Sequence, residues 1–191
     1  MYKILKRCMD ITLALGACVV FAPFMAVLAV LIKLDSRGAV IFRQTRVGKD
    51  KRYFEILKFR TMRTDAPKDM PTHLLTDADA HITRMGHFLL RTSLDELPQL
   101  VNIVVGDMSI VGPRPALWNQ YDLIELRDRY GVNSIRPGLT GLAQVMGRDE
   151  LPIKIKARYD AIYLRKMSFR TDCKIIDKTI RDVVNARGLQ H

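Results

Sequence analysis

Two adjacent carboxylates, Asp95 and Glu96, stand in the stretch RTSLDELPQL, between Arg91 and Pro98. Adjacent acids with cations close by stay ionised, and such a pair can hold Mg2+, which takes carboxylate and phosphate oxygens. An ionised Asp can also attack phosphorus and carry a covalent intermediate. The same stretch admits a structural reading. Ser93 followed three residues later by Glu96 has the spacing of a capping box, and acids in a first turn suit the positive end of a helix dipole.

Cations for anionic chemistry lie in three segments. Residues 37–63 carry nine Lys and Arg against Asp50 and Glu55. There AVIFRQTRVGKDKRYFEILKFRTM predicts two strands joined by a turn around Gly48–Lys51. Period-2 alternation puts Lys58 and Arg60 on one face, with Leu57 and Phe59 on the other. Two cations side by side suit an anionic ligand, and a solvated edge strand that uses Lys against aggregation has the same pattern. Gly112-Pro113-Arg114-Pro115 is a stiff loop in which two prolines fix the backbone around one arginine, so that arginine loses little entropy on gripping a ligand. Its planar fork suits phosphate, although an arginine in a rigid surface turn looks no different. Ile135–Arg148 repeats the idea with Arg136, Pro137 and Gly138 and then offers Gln144 and Arg148. An acid pair, several arginines, a strand lysine and Gly/Pro loops suit phosphoryl transfer, where positioning and charge neutralisation carry most of the catalysis. His73, His81, His87 and His191 show no metal-ligand spacing. No Walker loop, dinucleotide fingerprint or Gly-x-Ser-x-Gly elbow is present.

The elements that position these groups are legible in outline. A short helix is expected over Leu97–Val105, a turn at Gly106–Asp107 and an extended piece at Ser109–Val111. A chain of 191 residues with a net charge of +11 can build one domain with a core, and asks for a polyanionic partner. Nucleic acid is one such partner, with Phe42, Tyr53, Phe54 and Phe59 as stacking platforms. No nucleic-acid motif accompanies them. Basic residues beside a membrane meet anionic headgroups instead, at about 1 kcal/mol each. Cys8, Cys18 and Cys173 form no disulfide framework.

Ile11–Ile32 reads ITLALGACVVFAPFMAVLAVLI, without a charge. As a helix it would extend about 33 Å, enough to span a hydrocarbon core. No clean cleavage site follows it, which argues against a secretory signal. Basic residues flank both ends, so the positive-inside bias pulls both toward the cytoplasm. Pro23 removes a helix hydrogen bond near the middle. Two topologies therefore stand: a re-entrant helix broken at Pro23, which the flanks favour, and a simple span. Residues 172–187 place Ile176, Ile180, Val183 and Val184 on one helical stripe, for core packing or for the membrane interface.

Taken together, QTRVG, KFRTM, TSLDELPQL, IVGPRP and RPGLTGLAQV, in this order behind a hydrophobic segment with a mid-run proline, resemble the bacterial sugar transferases, or monotopic phosphoglycosyl transferases. The resemblance covers nearly the whole chain and matches the minimal form, without an extra transmembrane bundle. It implies a mixed α/β fold with a re-entrant membrane helix broken at Pro23 (residues 1–34) and a cytoplasmic catalytic domain (35–191) of a small β-hairpin, short helices and interfacial amphipathic helices. Many members have serine before the proline, where this chain has Ala22. It further implies that Asp95 attacks a UDP-sugar, releases UMP, and hands the phosphosugar to polyprenol (undecaprenyl) phosphate, with Mg2+ on Asp95 and Glu96. Lys58, Arg60, Arg91, Arg114 and Pro115 are implied to line the anionic site, with Arg136 and Gln144 toward nucleotide or sugar. The implied setting is the cytoplasmic face of the bacterial inner membrane, with membrane lipid as a partner, no nucleic acid, and room for a homodimer. A basic peripheral or nucleic-acid-binding module explains the charge but leaves the acid pair idle.

Overall fold

The computed structural model describes residues 2–67, 78–147 and 151–185. The apolar N-terminal run forms α1, Tyr2–Asp35, a helix long and apolar enough to cross a membrane. β1 (Ile41–Val47) and β2 (Tyr53–Phe59) follow as an antiparallel hairpin, with Ile41 opposite Phe59 and Val47 opposite Tyr53. Their tight connection, a 3-10 turn at Lys49–Lys51, puts Asp50 and Lys51 at positive φ. The expected hairpin and its turn are thus present.

Next come α2 (Ala78–His81), α3 (Arg84–Thr92) and α4 (Gln99–Val105). β3 (Ser109–Val111) is followed by α5 (Tyr121–Arg129), and β4 (Gly138–Thr140) by α6 (Leu142–Gly147), α7 (Ile153–Lys166) and α8 (Phe169–Val184). β3 and β4 pair in parallel, Ser109 with Gly138 and Val111 with Thr140. Glycines permit this approach: a Cβ at Gly138 would lie 2.1 Å from the Gly112 nitrogen.

The membrane-type helix is built into the globular core. Ala14 packs with Ile56, Leu100, Ile103 and Met108. Leu28 and Ile32 pack with Phe59 and Leu89. Polar bonds fix its N-terminal end. Tyr2 and Lys6 donate to Asp172 Oδ2 at 2.7 and 2.6 Å, while Asp10 accepts from Ser109 Oγ and the Ile110 N–H. Arg7 donates to the Ile103 and Val104 carbonyls at the end of α4. Between the packed ends, residues 19–24 are all exposed.

Pro23 lies inside this helix, and α1 continues through it as one element. The expected break into two helices is therefore absent; a proline within a continuous helix leaves room only for a bend. In α8 the buried side chains are Asp172 and Ile175, Ile176 is half-buried, and Ile180 and Val184 are exposed. Val183 is half-buried as well, so the expected stripe alternates between partial burial and exposure.

Candidate active site

The acid pair sits on a corner. α3 ends at Ser93, which takes the left-handed conformation (φ 57°) and donates its N–H to the Leu90 carbonyl. Leu94–Glu96 then makes one 3-10 turn before Pro98 opens α4. The capping box expected from Ser93 and Glu96 does not form. An N-cap serine needs extended backbone, whereas Ser93 is a left-handed C-cap whose side chain caps nothing. The spacing was right and the function different, because Glu96 finds stronger partners.

Those partners are cations. Lys58 Nζ donates to Asp95 Oδ2 at 3.1 Å and to Glu96 Oε1 at 2.8 Å. Arg114 Nη2 donates to the same Glu96 oxygen at 3.1 Å. Asp95 is only 4 % exposed. Burial pushes its carboxyl above the ordinary range and Glu96 adds to this, while Lys58 and Arg114 pull the other way. Burial would raise Glu96 too, but Lys58 and Arg114 together hold it well below the usual carboxylate range. Desolvation disfavours the Lys58 ammonium, yet the two carboxylates outweigh it and keep Lys58 protonated. The corner is therefore a two-cation, two-anion cluster in which Glu96 is the firmly ionised acid and Asp95 the more basic carboxylate.

Three residues that sequence reasoning passed over hold this cluster in place. Asn102, buried on α4, donates to the Glu55 carbonyl at 2.8 Å and accepts from the Leu57 N–H at 3.0 Å. It pairs with β2 beside Lys58 as a neighbouring strand would. An Asn inside the apolar run LVNIVV was the available signal, since a buried amide must find partners. Arg127 donates through Nη1 to the Arg114 carbonyl at 2.9 Å and pairs with Asp160 at 2.7 Å. Nothing local in the sequence marks that pair. The Gly112–Pro115 loop is further tied by Gly112 N–H to the Thr140 carbonyl, by Gly138 N–H to the Pro113 carbonyl and by Arg46 to the Pro115 carbonyl.

Other expected ligand-binding residues go elsewhere. Arg60 lies just past the end of β2, where strand alternation no longer applies. Its Nη2 donates to the Ile32 carbonyl and to Ser36, so it caps α1 rather than joining Lys58. Arg136 donates to the Gly106 carbonyl beyond the end of α4. Gln144 donates to the Leu139 carbonyl. None of the three bonds to the acid pair. Arg91 is exposed on the last turn of α3, close in sequence to Asp95. Arg148, His73 and His191 lie outside the described residues.

Among the described residues no group of three or more His, Cys, Asp or Glu side chains is placed to hold a metal ion. Asp95 and Glu96 are thus the carboxylates that a divalent ion would find at this corner. Each engages its cations through a single oxygen, Oδ2 and Oε1. Two carboxylates completed by phosphate oxygens and water fit the habit of Mg2+.

This anatomy agrees with the sequence relationships. Residues 1–186 match the bacterial sugar transferase family, and the chain belongs to it. The exopolysaccharide production protein PSS of Rhizobium leguminosarum bv. phaseoli is 42 % identical over 189 residues, covering 93 % of this chain and 94 % of that protein. The UDP-N-acetylgalactosamine-undecaprenyl-phosphate N-acetylgalactosaminephosphotransferase of Aeromonas hydrophila is 38 % identical over 98 % of this chain, which spans 45 % of its length. The UDP-glucose:undecaprenyl-phosphate glucose-1-phosphate transferase of Escherichia coli K12 is 39 % identical over 93 % of this chain, which spans 40 % of its length.

Proposed function

We propose that the protein transfers a sugar 1-phosphate from a UDP-sugar to polyprenol phosphate at a membrane surface, releasing UMP. The observation that carries this reading is Asp95, a buried carboxylate held 3.1 Å from Lys58 beside a Glu96 shared by Lys58 and Arg114. The printed functions of the Aeromonas and Escherichia relatives support the substrate classes. An Asp95 oxygen attacks the sugar-bearing phosphorus, the bond from that phosphorus to the bridging oxygen breaks, and UMP leaves with the electron pair. The sugar phosphate then sits on Asp95 as an acyl phosphate. An oxygen of polyprenol phosphate attacks the same phosphorus, the Asp95–phosphorus bond breaks, and the carboxylate is restored.

Burial serves the first step, because a carboxylate of raised basicity is the better nucleophile. Lys58 and Arg114, resting on the acids, take up the incoming phosphate charge, with Arg91 adding to the field. Asp95 and Glu96 would hold Mg2+, which when bound neutralises phosphate charge. Intact-mass measurement tests the intermediate: with a UDP-sugar and no acceptor, the wild type gains one sugar phosphate and Asp95→Asn gains none. A turnover-competent wild type that never gains this mass would remove the covalent step.

We also infer that α1 enters one leaflet and returns, leaving residues 35–191 on the cytoplasmic face. Supporting this, both ends of α1 pack on the same body, whereas a span would set its far end about 30 Å away. Pro23 lies within the exposed 19–24 stretch, where a lost hydrogen bond permits bending. The exposed Phe169, Ile180 and Val184 on α8 suit interfacial contact. With the native cysteines replaced, Lys3→Cys and Lys33→Cys are expected to label from the same side; labelling from opposite sides would establish a span.

A further inference from the structure

A cavity of about 390 Å3 opens at the C-terminal end of α1, away from the acid pair. Its lining holds three guanidinium groups, Arg37, Arg63 and Arg84, and the hydroxyls of Ser36, Thr64 and Thr83. The carboxylate in its lining, Asp35, is already engaged, accepting the Met85 N–H at the start of α3. Arg63 reaches Asp65 at 3.1 Å on the exposed side. Among the described residues, Arg37 and Arg84 have no ion-pair partner.

A fourth cation stands behind the wall. Arg60 is 6 % exposed, its Nη2 is held by Ile32 and Ser36, and its Nε and Nη1 have no hydrogen-bond partner among the described residues. Gly38, at φ +125°, lets the backbone close over it: a Cβ there would lie 2.3 Å from Arg60 Nη1 and 2.6 Å from Thr64 Cγ2. A buried guanidinium without a carboxylate is costly on its own. Beside a cavity of arginines and hydroxyls, its field favours a bound anion.

Depth and distance identify the anion. The apolar run ends at Ile32 and the exposed Leu34 follows, so Ser36 and Arg37 lie where a bilayer carries its headgroups. Arg84 begins α3 and Asp95 lies beyond the other end of this nine-residue helix, about 13 Å away along its axis. None of Asp95, Glu96, Lys58 and Arg114 lines the cavity, so a phosphate held there is separate from the acid-pair corner. We propose that the cavity binds the phosphate of a bilayer phospholipid headgroup, fixing the base of α1 at headgroup depth, apart from the reacting phosphates. This rests on the membrane attachment inferred above.

Calorimetric titration of the full-length protein in detergent with dihexanoyl phosphatidylglycerol tests it. Arg37→Ala/Arg84→Ala is expected to bind about tenfold more weakly or worse, and Arg37→Lys/Arg84→Lys to recover most of the affinity. Asp95→Asn should bind as wild type, so a failed catalytic reading leaves this result standing. Equal binding by wild type and the double alanine variant overturns the proposal. So does inorganic phosphate binding as tightly as the phospholipid. A raised KM for polyprenol phosphate with unchanged phospholipid affinity would give the cavity to the acceptor instead. All three arginines are exposed, so the variants are expected to fold; a melting curve checks this, and Arg37→Ala alone serves if the double variant does not.

Discussion

Two ionic clusters meet at Arg114, one through its carbonyl and one through its side chain, and they differ in one respect that decides their roles. Arg127 and Asp160 are sealed, with side chains 7 % and 1 % exposed. Arg127 engages Asp160 through Nε and Nη2 and the Arg114 carbonyl through Nη1, so its fork is filled. Lys58, Glu96 and Arg114 keep 18 %, 19 % and 35 % of their side chains exposed. A phosphate cannot reach the first cluster, whereas in the proposed reaction it would compete with the carboxylates for the cations of the second. One cluster holds a loop and the other is open to an exchange of partners. The same residue types therefore do structural or chemical work according to whether a ligand can displace their contacts.

The largest expected break in that comparison is Asp160→Ala. Removing one partner of a sealed pair leaves Arg127 charged and uncompensated, at a cost of about 3–5 kcal/mol. Chemical denaturation in detergent would read this directly. Asp95→Asn, which leaves Lys58 paired with Glu96, should melt close to wild type. A smaller effect sharpens the open cluster. In the proposed reaction Asp95 must be ionised to attack, so kcat/KM is expected to fall as pH drops through its raised pKa, with the acid limb above the ordinary carboxylate range. Glu96 contributes to that elevation. The residual activity of Glu96→Gln should therefore show its acid limb at lower pH. An unmoved limb would deny Glu96 that influence.

What could be seen beforehand follows from how far each contact reaches. The hairpin and its turn depend on neighbouring residues, and the alternation and turn chemistry around Gly48–Lys51 announced them. The acid pair announced itself by type. Arg60 misled because a period-2 argument ran one residue beyond the strand. Ser93–Glu96 misled because a spacing cannot tell a helix beginning from a corner between two helices. Arg127–Asp160 is separated by 33 residues and Lys6–Asp172 by 166. No local pattern encodes such pairs. The support of Arg114 was hidden for that reason, although Arg114 itself was legible.

The bond between Lys6 and Asp172 also has a meaning in time. The first turns of α1 leave the ribosome long before α8 exists. At about 5–20 residues per second, 166 residues separate the two partners by roughly 8–33 s. For that interval the polar end of the apolar helix has no Asp172 to meet, and for the first 99 residues after Asp10 no Ser109 either. Under the proposed membrane attachment, insertion precedes docking, and the acid-pair corner is assembled onto an anchor already in place.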